Sequence, residues 1–190
     1  MRILKAKKLD KKKKIIEDYN SSAKIYDNRY KIIQNYKFKL LIENLVFKSG
    51  IYLDAGCGTN LFLDYLNKEK ITRNIRLIGL DISFNMLKSA KEKQKKSCLI
   101  LGDIENLPFK RNLFTGFISI TTFQNLANIN KGIEELIRVF KSNGLLAITI
   151  LKKNFSLNEV KKLFQSHFQD LNYIHDNKCE DWIILRDNRF

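Results

Sequence analysis

Residues able to grip a small ligand gather at a few places in this chain. The stretch DAGCGTN, residues 54–60, sets Gly56 and Gly58 two apart behind an acidic residue, Asp54. After an apolar run this reads as a strand ending in a turn whose backbone can approach a ligand, because glycine takes positive φ without strain. A phosphate-cradling loop needs GxxxxGK followed by Ser or Thr, and nothing here supplies that lysine. A dinucleotide fingerprint needs a third glycine where Leu61 stands, so a helix could not close around a pyrophosphate. Asp81 ends the next apolar run, about 20 residues on, where a carboxylate can accept both hydroxyls of a ribose. In SITTFQNL, residues 119–126, Ser119 leads to Gln124 and Asn125, which could hydrogen-bond a base or carbonyl, or equally cap a helix. Phe123 could stack on a base or fill the core. His167 and His175 are isolated, and without an HExxH or Cys/His cluster no metal is expected. Cys57 has no histidine partner and reads as a small space-filler.

These residues need elements to place them. Apolar positions at helical spacing run through residues 22–48, with Ser21 or Ser22 as the cap. Short strands are expected at IYLDAG, IRLIGLDI, CLILGD, FTGFISIT (residues 114–121) and LLAITIL, with helices between them. Ser83 is positioned to cap SFNMLKSAKEK, and Gly144 to close NKGIEELIRVFK in a left-handed conformation. Alternating strands and helices mean parallel βαβ units. The late strands DLNYIHD and EDWIILRD have no helix between them and must pair antiparallel. Pro108 is the one proline and no linker divides the chain, so residues 21–190 read as one domain, preceded by a basic arm or loose helix at 1–20.

The chain has 190 residues, a formal charge of +15, and 27 lysines against 8 arginines. The excess charge points to a polyanionic partner such as RNA. A lysine-heavy coding bias is the competing explanation, since arginine is the residue favoured for bidentate phosphate contacts. Three scattered cysteines fit a reducing, cytoplasmic setting better than a disulfide framework. No apolar run approaches the ~18 residues of a membrane span, and the lysine-rich start lacks the apolar block of a secretory signal.

DAGCGTN resembles the first motif of class I S-adenosylmethionine-dependent methyltransferases, with Asn60 where the last glycine is usual. Asn tolerates left-handed backbone. LIGLDIS and LILGDIENLPF are similar to the family's next two motifs, and DIENLPFKRNLFTGFISI resembles the ubiquinone/menaquinone-biosynthesis type (methyltransferase type 11). Together these span residues 49–186. The resemblance implies an α/β, Rossmann-like seven-stranded sheet, mostly parallel with a C-terminal antiparallel hairpin and helices on both faces. It implies S-adenosylmethionine as cofactor, held by Asp54, Ala55, Gly56, Cys57, Gly58, Asn60, Asp81, Ile82, Asp103, Ile104 and Ser119. By that resemblance Ile82 lies against the adenine, Asp103 meets its exocyclic amine, and the Ile104 backbone flanks the ring.

YNSSAKIYDNRYKIIQ is similar to the segment before the first motif in RNA-modifying members. That implies Arg29 on the cofactor's carboxylate and Tyr19 or Tyr26 closing over the site. The end of the fourth strand faces the reacting centre in this fold, which makes Ser119, Gln124 and Asn125 the candidate catalytic residues. An RNA base (tRNA or rRNA) is the expected acceptor. A quinone-like or other metabolite is the alternative, and a non-catalytic cofactor-binding subunit a third. RNA-modifying relatives often require a small zinc-ribbon activator, a further implied partner; no membrane partner is expected.

Overall fold

The computed structural model of the chain describes residues 2–187. Its order is α1 (Arg2–Ser22), α2 (Tyr26–Asn44), β1 (Gly50–Ala55), α3 (Leu61–Lys68), β2 (Ile75–Asp81), α4 (Phe84–Lys93), β3 (Cys98–Leu101), β4 (Phe114–Ile120), α5 (Ile129–Val139), β5 (Phe140–Leu151), α6 (Leu157–Phe164), β6 (Asn172–Ile174) and β7 (Asp181–Arg186). The seven strands form one sheet in the order β3-β2-β1-β4-β5-β7-β6. Strands β1 to β5 run parallel, and β7 pairs antiparallel with both β5 and β6. The strand order turns back between β1 and β4. In open α/β sheets, ligands bind beyond the carboxyl ends of the strands at such a point.

Residues of the central strands alternate between two apolar layers. Leu53, Phe117, Leu146 and Ile148 pack with Ile133, Leu136, Val160 and Phe164 of α5 and α6. Tyr52, Ile118, Leu145 and Ala147 pack with Phe38, Leu41, Phe62 and Leu66 of α2 and α3. Burial on both faces is why these strands read as near-continuous apolar runs. Helix starts follow side-chain chemistry. Ser83 Oγ accepts from Met86 N at 3.2 Å, and Asn128 Oδ1 from Lys131 N at 3.4 Å. Ser156 and Glu159 form a reciprocal capping box.

Three local expectations fail. Ser21 and Ser22 do not cap α2; their hydroxyls donate back to Asp18 O at 2.8 and 2.9 Å, and Ile25 precedes α2 without a side-chain cap. Gly144 does not close α5, because Phe140 already pairs with Phe114 and the chain runs straight into β5. Glycine is needed there for space, since a Cβ would stand 2.7 Å from Thr115 O. Residues 2–22 are neither arm nor loose helix but an ordered helix packed on α4. Its inward stripe, Lys12, Ile15, Ile16, Tyr19 and Asn20, is half-buried at helical spacing.

Candidate active site

The glycine turn is locked to β2. Gly56 N and Cys57 N both donate to Leu80 O, at 2.7 and 3.0 Å. Asp81 completes the lock: Oδ2 accepts from Gly58 N and Oδ1 from Ser83 N, both at 2.8 Å. Each carboxylate oxygen keeps a lone pair for a ligand hydroxyl. Gly56 (φ 84°), Gly58 (φ 54°) and Asn60 (φ 66°) all lie in the left-handed region, so Asn60 does take the conformation usually given to glycine. A Cβ on Gly56 would strike Thr122, whereas one on Gly58 would meet nothing within 4 Å. The space Gly58 leaves is open to a ligand.

Around this turn Gly56, Gly58, Asp81, Ile82, Asp103 and Ile104 line one cleft, with Tyr26 and Asn125 on its walls and Lys12, Ile15 and Tyr19 of α1 above it. Helix α1 is held by Asn20, whose Oδ1 accepts from Ser83 Oγ (2.8 Å) and Asn85 N (3.0 Å). Asn125 Nδ2 donates to Tyr19 Oη at 2.9 Å. Lys12 Nζ reaches Asp103 Oδ2 at 2.5 Å and Glu105 Oε2 at 3.0 Å. Burial pushes the phenols of Tyr19 and Tyr26 up, so both stay neutral donors.

Asp54 and Cys57 border a smaller recess under the turn, with Gln34 and Phe38 of α2. Asp54 is 2% exposed, and burial, reinforced by the charge of Asp81, pushes its carboxyl up to about 8. Gln34 hydrogen-bonds Tyr26, while its Oε1 is buried without a partner. An acceptor and a carboxyl that is costly to ionise, set side by side, fit a cationic ligand group. Burial raises the Cys57 thiol well above its ordinary value, which keeps it unreactive.

A third cavity of about 440 Å³ adjoins the cleft and shares Tyr19, Tyr26, Thr121 and Asn125 with it. Arg29 and Gln124 line this one. Behind it Lys37 Nζ lies 2.8 Å from both Thr121 Oγ1 and Asp181 Oδ1. Thr121 and Thr149 donate to Asp181 Oδ2, each at 2.7 Å. Thr121 has φ 57°, rare for a β-branched residue and a strain that gathers at functional sites.

Several candidates are not where the sequence put them. Ser119 is fully buried and donates to Ala55 O at 2.7 Å, tying β4 to β1; it reaches no cavity and has no catalytic or cofactor contact to make. Ala55 is likewise fully buried, and the Asn60 side chain turns away to Gln94 Oε1 at 3.0 Å. Phe123 packs against Phe117 and Phe164 in the core. Arg29 is exposed, its guanidinium 5.2 Å over the Tyr30 ring and away from the glycine turn. Neither Gln124 nor Asn125 caps α5, a role Asn128 fills. Sequence reasoning did not single out Lys12, Gln34, Lys37 or Thr121. Their only sequence signal is a helical stripe of mixed polarity, which no apolar period reveals.

A family profile described as "Methyltransferase domain" matches residues 53–148. The chain is 30% identical over 169 residues to malonyl-(acyl-carrier protein) O-methyltransferase of Buchnera aphidicola, covering 87% of this chain and 66% of that protein. It is 35% identical over 119 residues to the 18S rRNA (guanine-N(7))-methyltransferase of Mus musculus, covering 60% and 41%. It thus spans two thirds or less of these relatives' lengths. A Haloferax volcanii methyltransferase, solved in complex with the Trm112 methyltransferase activator, has the same fold, with a TM-score of 0.73 at 16% identity over 90% of this chain and 95% of that one. With the matched profile running from β1 through most of β5, the chain belongs to the methyltransferase-domain family, a family of S-adenosylmethionine-dependent enzymes.

Proposed function

We propose that this methyltransferase acts on a base of an RNA. The observation that carries the reading is the position of α1: a lysine-rich helix lies directly over the cleft, with Lys7, Lys8, Lys11, Lys13 and Lys14 exposed. Lysines on a site's rim attract a phosphodiester backbone as point charges, without needing the bidentate geometry of arginine. Similarity to an rRNA methyltransferase supports the same acceptor class.

The residues present fit the cofactor. Asp81, with a lone pair left on each oxygen, suits a ribose diol. Ile82 and Ile104 offer apolar walls to a flat ring, and Asp103 offers an acceptor that Lys12 now holds. Gln34 Oε1 and Asp54 suit the α-ammonium of the methionine end. Bound there, S-adenosylmethionine supplies a methyl on a sulfonium, which passes to a lone pair of the acceptor as the carbon–sulfur bond breaks in line. What the chain adds is alignment and exclusion of water. Holding both partners in register contributes roughly 7–11 kcal/mol, and Ile15, Tyr19 and Tyr26 cover the cleft. No general base is required when the acceptor atom already carries a lone pair.

A second reading rests on the same basic helix and the other relative. An acidic acyl-carrier protein would also be drawn to α1, with a carboxylate as the acceptor. Incubation with labelled S-adenosylmethionine and, separately, total RNA, a metabolite extract and acylated carrier protein tests both. Label at one nucleoside is the expected result, and label only in a carboxyl ester would overturn it. The reading also includes a small zinc-ribbon activator along edge strand β3, beside Phe84 and Leu101, which are 61% and 56% exposed. The cytoplasm is the proposed compartment, given three free cysteines. Among the described residues no helix is long and apolar enough to cross a membrane.

A further inference from the structure

We propose that Gln124 selects the acceptor: its side-chain oxygen takes a hydrogen bond from an N–H of a planar base held in the 440 Å³ cavity. This rests on the RNA reading above and names the residue that would decide it against a carboxylate.

The orientation of Gln124 is fixed by its neighbour. One end of the amide lies 2.5 Å from Thr121 O. A carbonyl can only accept, so that end must be Nε2 and the other must be Oε1. Oε1 is buried without a partner, and Gln124 as a whole is 9% exposed. Leaving a buried acceptor unpaired is costly, and an N–H from a ligand would relieve that cost. A carboxylate has no hydrogen to offer and would bring a second acceptor against the first.

Two further features favour a flat, uncharged guest. Tyr19, Tyr26 and Tyr30 form a row of rings, with centroids 6.4 and 4.9 Å apart, along the wall of the cavity. Such a row gives a base a face to stack on. The charges around the cavity balance. Lys37 is paired with Asp181, and the rim cations Arg29 and Lys153 share the lining with Asp18 and Glu180. Nothing in that set draws in an anion selectively. The cavity also lies within the ~300–1,000 Å³ range of small-ligand sites and meets the cleft at Thr121 and Asn125, where a methyl donor and an acceptor must face each other.

The test uses the full chain and the nucleoside identified by the labelling assay. Gln124→Leu keeps the bulk and removes the acceptor; its kcat/KM on RNA should fall about tenfold to a hundredfold, with cofactor affinity and Tm close to wild type. An oligonucleotide whose target base has the relevant N–H replaced by N–CH3 or C–H should cost wild type a similar factor and cost Gln124→Leu almost nothing further. That non-additivity marks a direct contact. Should Gln124→Leu fold poorly, Gln124→Met takes its place. Wild-type rates in the variant, or equal further losses in both proteins on the altered base, would overturn the Gln124 assignment and leave the RNA reading standing. Label in an acyl-carrier ester and none in RNA would overturn the RNA reading itself.

Discussion

Cofactor binding should release a proton, and Asp54 should be its source. With its carboxyl pushed up to about 8 by burial and by Asp81, Asp54 is about nine-tenths protonated at pH 7 in the free protein. A bound α-ammonium beside it favours the ionised form, so Asp54 must give up its proton on binding. The ligand's own amine, with an ordinary value of about 7.7–8.0, takes up about 0.1 proton at pH 7. The net release is therefore about 0.8 proton. Affinity should rise about eightfold from pH 6 to pH 7 and about twofold to threefold more by pH 8, then fall as the ligand amine loses its charge.

Titration calorimetry in two buffers of different ionisation enthalpy counts the proton directly. Asp54→Asn should abolish the release and flatten the acid limb. The same group sets a stability slope. A carboxyl raised in the folded state binds more protons than in the unfolded chain, so its stabilising contribution is present at low pH and lost as pH rises through 8. Between pH 6 and pH 8 the ligand-free protein should lose about 2 kcal/mol from Asp54. Asp81, also raised by burial, acts in the same direction. Zero proton release, with an affinity flat from pH 6 to pH 8, would refute the placement of the ammonium at Asp54.

Three further outcomes follow from other parts of the site. Gly58→Ala puts a Cβ into the open space of the turn at φ 54°; stability should drop by about 1–2 kcal/mol, while cofactor affinity measured by calorimetry falls at least about tenfold. Lys37→Met strands the fully buried Asp181 and should cost about 3–5 kcal/mol in urea unfolding, with much of it recovered in the Lys37→Met/Asp181→Asn double variant. Replacing exposed Lys7, Lys8, Lys13 and Lys14 by Gln should leave cofactor binding unchanged. The salt dependence of kcat/KM on RNA should weaken by about 0.7 log per log salt for every phosphate those lysines neutralise in the wild type. A salt slope identical to wild type would sever α1 from substrate binding.

Strand identity was legible because strands buried on both faces must be apolar throughout, and the breaks between IYLDA, IRLIGL and FTGFISI are sharp. The left-handed turn at Gly56, Gly58 and Asn60, and the carboxylate of Asp81 at the end of its strand, were also legible, since few residue types tolerate those backbone angles. What stayed hidden depends on which way a side chain points and on what lies across from it. Ser119 sits at the right strand end, but its side chain faces Ala55 O, and only the pairing of β4 with β1 decides that. Gly144 looked like a helix stop, yet it answers to the nearness of Thr115 on the neighbouring strand. Helix α1 buries lysine, isoleucine, tyrosine and asparagine along one stripe, a pattern with no apolar period. Its place over the cleft follows from carboxylates and amides at residues 83, 103, 105 and 125, far away in the chain and brought beneath it by the fold.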